Sequence, residues 1–295
     1  MTAPETTPPL VSAPMVSARR TSPAPPARFG DLLAAEWLKL WSLRSMRWAL
    51  PASALILVLL NANAAVADYQ NWPRYDEGTR ANFVPGWAYR DAFTNNTGIT
   101  LMLVAGSLGA ITLVGEYSTG LVRTAFAAVP ARRSLLSAKA AVVTAVMTGY
   151  GAVIAGTSFG VTQAILSGRG VGLSISYPGA WRGVLASALL APVCALIGLG
   201  LGALIRHSAT TVVAVVAVLL LVPNFLSPDR YWTAVLFHLF PFRAWQRLTD
   251  LEPIGQARGW HEAYPSTPGG AWLVFLLWPL VSVLVTLVVV DRRDV

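Results

Sequence analysis

Six blocks of apolar residues, each close to the length that crosses a bilayer, dominate this chain of 295 residues. A membrane-spanning helix needs about 20 such residues. The blocks cover about 47–67, 97–115, 140–166, 181–205, 210–226 and 271–290. Backbone inside hydrocarbon has to satisfy its own hydrogen bonds, so runs of this length cross as helices. Charged residues make up 12% of the chain, about half the share of a soluble domain, and mean hydropathy is +0.55. The expected fold class is an all-α polytopic membrane protein with six transmembrane helices. Only Arg206, His207, Ser208 and Ala209 separate the fourth and fifth blocks, which requires a tight helical hairpin.

The rest of the chain divides around these blocks. Residues 1–27 are rich in Pro, Ala, Ser and Thr, without an apolar period or the apolar core of a signal peptide. They are expected to form a disordered cytoplasmic tail. Over 28–46, Phe29, Leu32, Leu33, Trp37 and Leu40 recur at helical spacing, with Asp31, Lys39 and Ser42 on the other side. Trp37, Trp41 and Trp48 mark the headgroup level, so an amphipathic interfacial helix carrying Glu36, Trp37, Lys39 and Arg44 is predicted here. Residues 47–295 form the transmembrane domain. Its loop over 68–96 holds Trp72, Tyr75, Phe83, Trp87 and Tyr89 and is expected to fold onto the membrane face. The apolar stretch 234–242 is too short to span, and Pro241 predicts a bend in a re-entrant or interfacial segment before the last helix.

A net charge of +8 and a pI near 10.1 would point to nucleic acid in a soluble protein. Here the placement of the charge gives a better account, and no nucleic-acid partner is expected. With the N-terminus inside, 13 of the 22 Lys and Arg residues fall on the cytoplasmic side, mostly in short connections. The positive-inside rule then places both termini in the cytoplasm. Lys39 and Lys139 are the only lysines. That preference for Arg, with abundant Ala, Gly and Pro, is the composition of a GC-rich bacterial genome, hence a bacterial plasma membrane.

Several chemistries find no residues to carry them. Cys194 is the single cysteine, which excludes an intrachain disulfide and reads as a packing residue. No His, Asp or Glu cluster has metal-ligand spacing. The phosphate-cradling pattern Gly-x-x-x-x-Gly-Lys-[Ser/Thr] is absent. Gly106, Gly109, Gly198, Gly200 and Gly202 lie within apolar blocks, where small residues let helices approach. Gly156-Thr-Ser158-Phe-Gly160 formally matches a nucleophile elbow, but it lies inside the third block and is read as packing too. His207 and His238 would be the available bases. The blocks hold no ionisable residue away from their ends, which argues against proton coupling and for an energy source outside this chain.

The connection from Glu116 to Lys139 is the most specific stretch. Glu116 is expected to pair with Arg123 or with a partner protein. Gly120 permits a sharp turn, and Pro130 can start a helix that carries Arg132, Arg133 and Lys139. A solvated basic loop that serves only topology is the simpler reading. Two motifs bear on the choice. With Ala35-Glu36-Trp37-x-Lys39-Leu-x-Ser42-Leu-Arg44-Ser, and with Glu116-Tyr117-x-Thr119-Gly120-x-x-Arg123-Thr124 followed by Pro130-x-Arg132 and Lys139, the chain resembles the ABC-2 type permease family in its actinobacterial form. The resemblance extends over about 29–290, and Phe126 departs from the small polar residues common in that stretch.

The resemblance implies a transporter subunit that exports a drug-like, lipid or peptide molecule. Two six-span subunits, identical or different, would each bind a cytoplasmic ABC ATPase, with ATP and Mg on that partner and no cofactor on this chain. Coupling would fall to Glu116, Tyr117, Gly120, Arg123, Pro130, Arg132, Arg133 and Lys139. Glu36, Trp37, Lys39 and Arg44 would belong to the interfacial helix. A membrane scaffold or signalling protein and an intramembrane hydrolase using Ser158 are the alternatives.

Overall fold

A computed structural model describes residues 28–128, 131–251 and 264–292. The expected tail at 1–27 lies outside the described residues. Among the described residues every regular element is helical. α1 spans Phe29–Ser42. Leu43 then takes an extended backbone (ψ 112°), and α2 starts at Arg44 and runs to Asn71. The predicted interfacial helix is therefore shorter than expected, and Arg44 opens the first long apolar helix instead. Its buried stripe also differs: Leu32, Glu36 and Leu40 point inward, while Phe29 and Trp37 are about half exposed.

Short helical turns lead from α2 to α3 (Asn95–Ser118), followed by α4 (Leu121–Ala128) and α5 (Arg132–Ser167). Then come α6 (Ala180–Ile205), α7 (Ser208–Asn224), α8 (Tyr231–His238), α9 (Pro241–Thr249) and α10 (Pro268–Arg292). Five of these helices, α2, α3, α5, α6 and α10, are long and apolar enough to cross a membrane, consistent with a multi-pass membrane protein. α7 falls short of that length. Its ladder widens to a π turn over Ala217–Leu221, and Pro223 stands just before its end.

α6 is the axis of the bundle. In its apolar stretch 78% of residues are buried, against 22% in α2 and 28% in α10. Glycine makes this burial possible. A Cβ on Gly198 would overlap the Gly106 carbonyl, and one on Gly109 would overlap the backbone of Ala195. Backbones in that contact tolerate nothing larger than hydrogen. The expected packing role of Gly106, Gly109, Gly198, Gly200 and Gly202 agrees with these contacts. Gly156 and Gly160 are different, because a Cβ on either would meet open space. What is buried there is Ser158, whose hydroxyl accepts a hydrogen bond from Asn61 at 3.0 Å.

The stretch 234–242 breaks at Phe240 into α8 and α9, neither long enough to span. α9 lies against α6 and α10 and buries Phe242, Trp245 and Leu248. Arg182 of α6 holds its far end, donating to the carbonyls of Leu248 (3.1 Å) and Asp250 (2.6 Å). The aromatic residues of 68–96 pack as expected. Phe83 is buried edge-on to Trp72, and buried Tyr89 donates to the Ala180 carbonyl at 2.8 Å.

Candidate functional site

Where α1 meets the bundle, four charged side chains from three helices close into a ring. Glu36 and Lys39 stand one turn apart on α1, Glu116 comes from the last turns of α3, and Lys139 from the start of α5. Lys139 Nζ lies 2.5 Å from Glu36 Oε2 and 2.8 Å from Glu116 Oε1. Lys39 Nζ lies 2.6 Å from Glu36 Oε1 and 3.3 Å from Glu116 Oε1. Each ammonium thus touches both carboxylates, and the charges cancel.

The burial of this ring is its unusual property. Glu36 and Lys139 are 3% and 4% exposed. Removing such ions from water costs several kcal/mol each, which only close opposite charges and good hydrogen bonds offset. Lys39 is the more open corner, with 40% of its side chain exposed. Burial pulls its ammonium down, but the hydrogen bonds and charges of Glu36 and Glu116 outweigh that and raise it above the ordinary 10.5. The ring uses both lysines of the chain. A compact ammonium with three donors can sit between two carboxylates, whereas a planar guanidinium needs more room.

Local sequence explains why the ring forms. Leu32 and Leu40 flank Glu36 by one turn on each side. Leu32 packs with Leu135 and Ala138 of α5, with Leu33 and Ala125 against them. That small apolar cluster turns the Glu36 face of α1 toward the bundle. After α3, the Ser118 and Thr119 hydroxyls both donate to the Gly115 carbonyl at 2.9 Å. Gly120 then reverses the chain at φ 73°, a conformation that favours glycine, and leads into α4.

The predicted coupling residues therefore separate into groups. Glu116 and Lys139 meet in the ring, and they meet Glu36 and Lys39, which sequence reading had assigned to another element. Glu116 was expected to pair with Arg123 or with a partner protein. Its carboxylate is engaged by the two lysines, and the Arg123 side chain lies outside the described residues, as does Pro130. Lys139 is a buried residue of α5 and not part of an open basic connection. Arg132 is half-buried and Arg133 exposed at the start of α5, one to two turns from the ring. Trp37, the next residue along α1, is about half exposed. Tyr117 carries the guanidinium of Arg206 over its ring, 5.0 Å from the centroid. Arg206 itself did not stand out in the sequence.

Among the described residues, no group of three or more His, Cys, Asp or Glu side chains could hold a metal. Ser158 is bonded to Asn61, while the rings of His207 and His238 contact Thr210 and the Tyr264 carbonyl. Comparison with protein-family models and with curated proteins finds no match, so the role of the ring rests on its own geometry.

Proposed function

We propose that this chain is the membrane-embedded subunit of an ABC-2 type exporter, driven by an ATPase on a separate cytoplasmic polypeptide. The observation that carries this reading is the buried ring of Glu36, Lys39, Glu116 and Lys139. It joins α1 to the two helices that flank α4, the end of α3 and the start of α5. A partner pressing on α4 would otherwise bend one connection. With the ring closed, the push moves α1, α3 and α5 together, and α3 and α5 both lie along the central α6. Electrostatics thus converts a local contact into a displacement of the bundle.

On this reading the α4 side and both termini face the cytoplasm of a bacterial cell. α7 is a short fifth span of six, and α8 with α9 is a re-entrant cap on the outer side. ATP and Mg bind the ATPase, not this chain, and a second permease subunit completes the pathway. The mobile cargo is a drug-like, lipid or peptide molecule, in keeping with apolar helices that carry no charge at mid-depth.

The test is purification of the tagged chain from its native membrane in mild detergent. A stoichiometric cytoplasmic ATPase with a phosphate-binding loop is expected to accompany it. Reconstituted with that ATPase, Lys39→Met should fold normally and lower transport per ATP hydrolysed. If no ATPase accompanies the folded chain, the exporter reading fails and a scaffold or signalling role takes its place.

A further inference from the structure

Asp91 sits in the short turns that lead from α2 to α3, and at 6% exposure its carboxyl is sealed inside the protein. Its Oδ2 is shielded from water and meets no donor among the described residues. The group within hydrogen-bond reach is a second carboxyl, Asp68 in the last turn of α2. Asp68 Oδ1 already accepts from the Tyr75 hydroxyl at 2.7 Å. Among the described residues, the elements packed on this turn bring it no cation. Tyr89 donates to the Ala180 carbonyl, and exposed Arg90 lies over the ring of Trp87, 5.9 Å from its centroid. α5 presents Phe159, stacked on Phe93, while its charged Arg132, Arg133 and Lys139 stand at the opposite end of that helix.

Carboxylates only accept hydrogen bonds, so two of them in contact need a proton between them. Two like charges in one site disfavour each other, and one carboxyl keeps its proton. Burial, and then the Asp68 charge, push the Asp91 carboxyl up to about 8. The next residues show what that proton holds. Ala92 and Phe93 are buried, and Thr94 caps α3. The Thr94 hydroxyl accepts from the Thr97 N–H at 3.3 Å and donates to Asn61 Oδ1 of α2 at 3.1 Å. We propose that Asp91 and Asp68 form a proton-operated latch. With the shared proton the turn is held to α2; without it the two carboxylates repel and free the turn together with the Thr94 cap. The latch needs no ATPase and stands apart from the exporter reading.

An ordinary aspartate titrates at 3.8, so the unfolded chain gives up this proton well before the folded chain does. The stability that the pair adds is therefore complete in acid and is lost as pH rises to about 8. The experiment records the infrared spectrum and amide hydrogen exchange of the full chain in detergent, at neutral and at alkaline pH. The native chain should show the carbonyl band of a protonated carboxyl at neutral pH and lose it in alkali, and Asp91→Asn should lack it. Asp91→Asn keeps the shape and cannot ionise. Its backbone over 91–97 should exchange as slowly as that of the native chain at neutral pH, and several-fold more slowly in alkali. Equal exchange in alkali would overturn the latch. A band that survives in Asp91→Asn would put the proton elsewhere and overturn it as well. Asp68→Asn removes the repelling charge and should move the loss of the band to lower pH, so an unchanged midpoint would count against the pairing. If Asp91→Asn fails to fold, the Asp68→Asn midpoint decides alone.

Discussion

At the α1 end of the bundle, Lys139 is buried between two carboxylates, whereas at the α9 end Arg182 donates hydrogen bonds to the backbone carbonyls of Leu248 and Asp250. Both ends join helices distant in sequence, but they should fail differently. Removing one corner of the ring strands an opposite charge in a dry site. Removing one bond of the cap leaves a neutral carbonyl or hydroxyl, a smaller loss. The ring therefore behaves as a unit, and the cap as a sum of separable bonds.

The largest break in this contrast is Lys139→Met. It should destabilise the chain by about 3–5 kcal/mol in denaturant unfolding, because Glu36 loses its buried partner. Pairing it with Glu36→Leu should recover much of that stability while coupling stays lost; no recovery would mean that the ring is not a closed electrostatic unit. Next is Gly198→Ala, which drives a methyl group into the Gly106 carbonyl and should cost about 1–3 kcal/mol or more. It probes the shared axis and should affect both ends alike. Tyr89→Phe removes one neutral bond near the Arg182 end, to the Ala180 carbonyl that opens α6, at a cost of about 1 kcal/mol. A loss as large as that of Lys139→Met would erase the distinction between the two ends.

Smaller still is Lys39→Met, at about 0–1 kcal/mol, because this corner is 40% exposed and Lys139 keeps both carboxylates. Its contribution should also depend on alkali. The Lys39 ammonium is raised above 10.5 in the folded chain, so the stability it adds is complete below that pH and fades as pH climbs through the higher folded value. The native chain and Lys39→Met should therefore converge in unfolding free energy at strongly alkaline pH. A difference that persists there would assign the effect of Lys39 to packing of its stem.

The long apolar runs were legible because their length alone demands helices, and the glycines on α3 and α6 were legible because they lie in those runs. α7 was counted as a span on composition, and the helix formed there, Ser208–Asn224, is shorter than the five long apolar ones. Glu36 was not legible. A carboxylate on an apolar face reads as an exception until its partner is known, and that partner is a lysine 103 positions away. The hint lay in its flanks, since Leu32 and Leu40 stand one turn to either side. The same tertiary contact moved Phe29 and Trp37 outward. Arg44 changed element because Leu43 is extended, and a single extended residue between two helix-forming segments leaves no mark in periodicity. Ser158 looked like part of a small-residue stripe, yet its glycine neighbours face open space and only the hydroxyl has a partner.

Because the ring holds both lysines, it also makes the chain chemically simple. Its side chains offer amine-directed reagents only two ε-amino groups, one partly open at Lys39 and one enclosed at Lys139. Acylation read by mass spectrometry therefore marks one side chain while the ring is closed and two once it opens. The protein carries its own reporter of the joint, and opening can be timed without introducing a label.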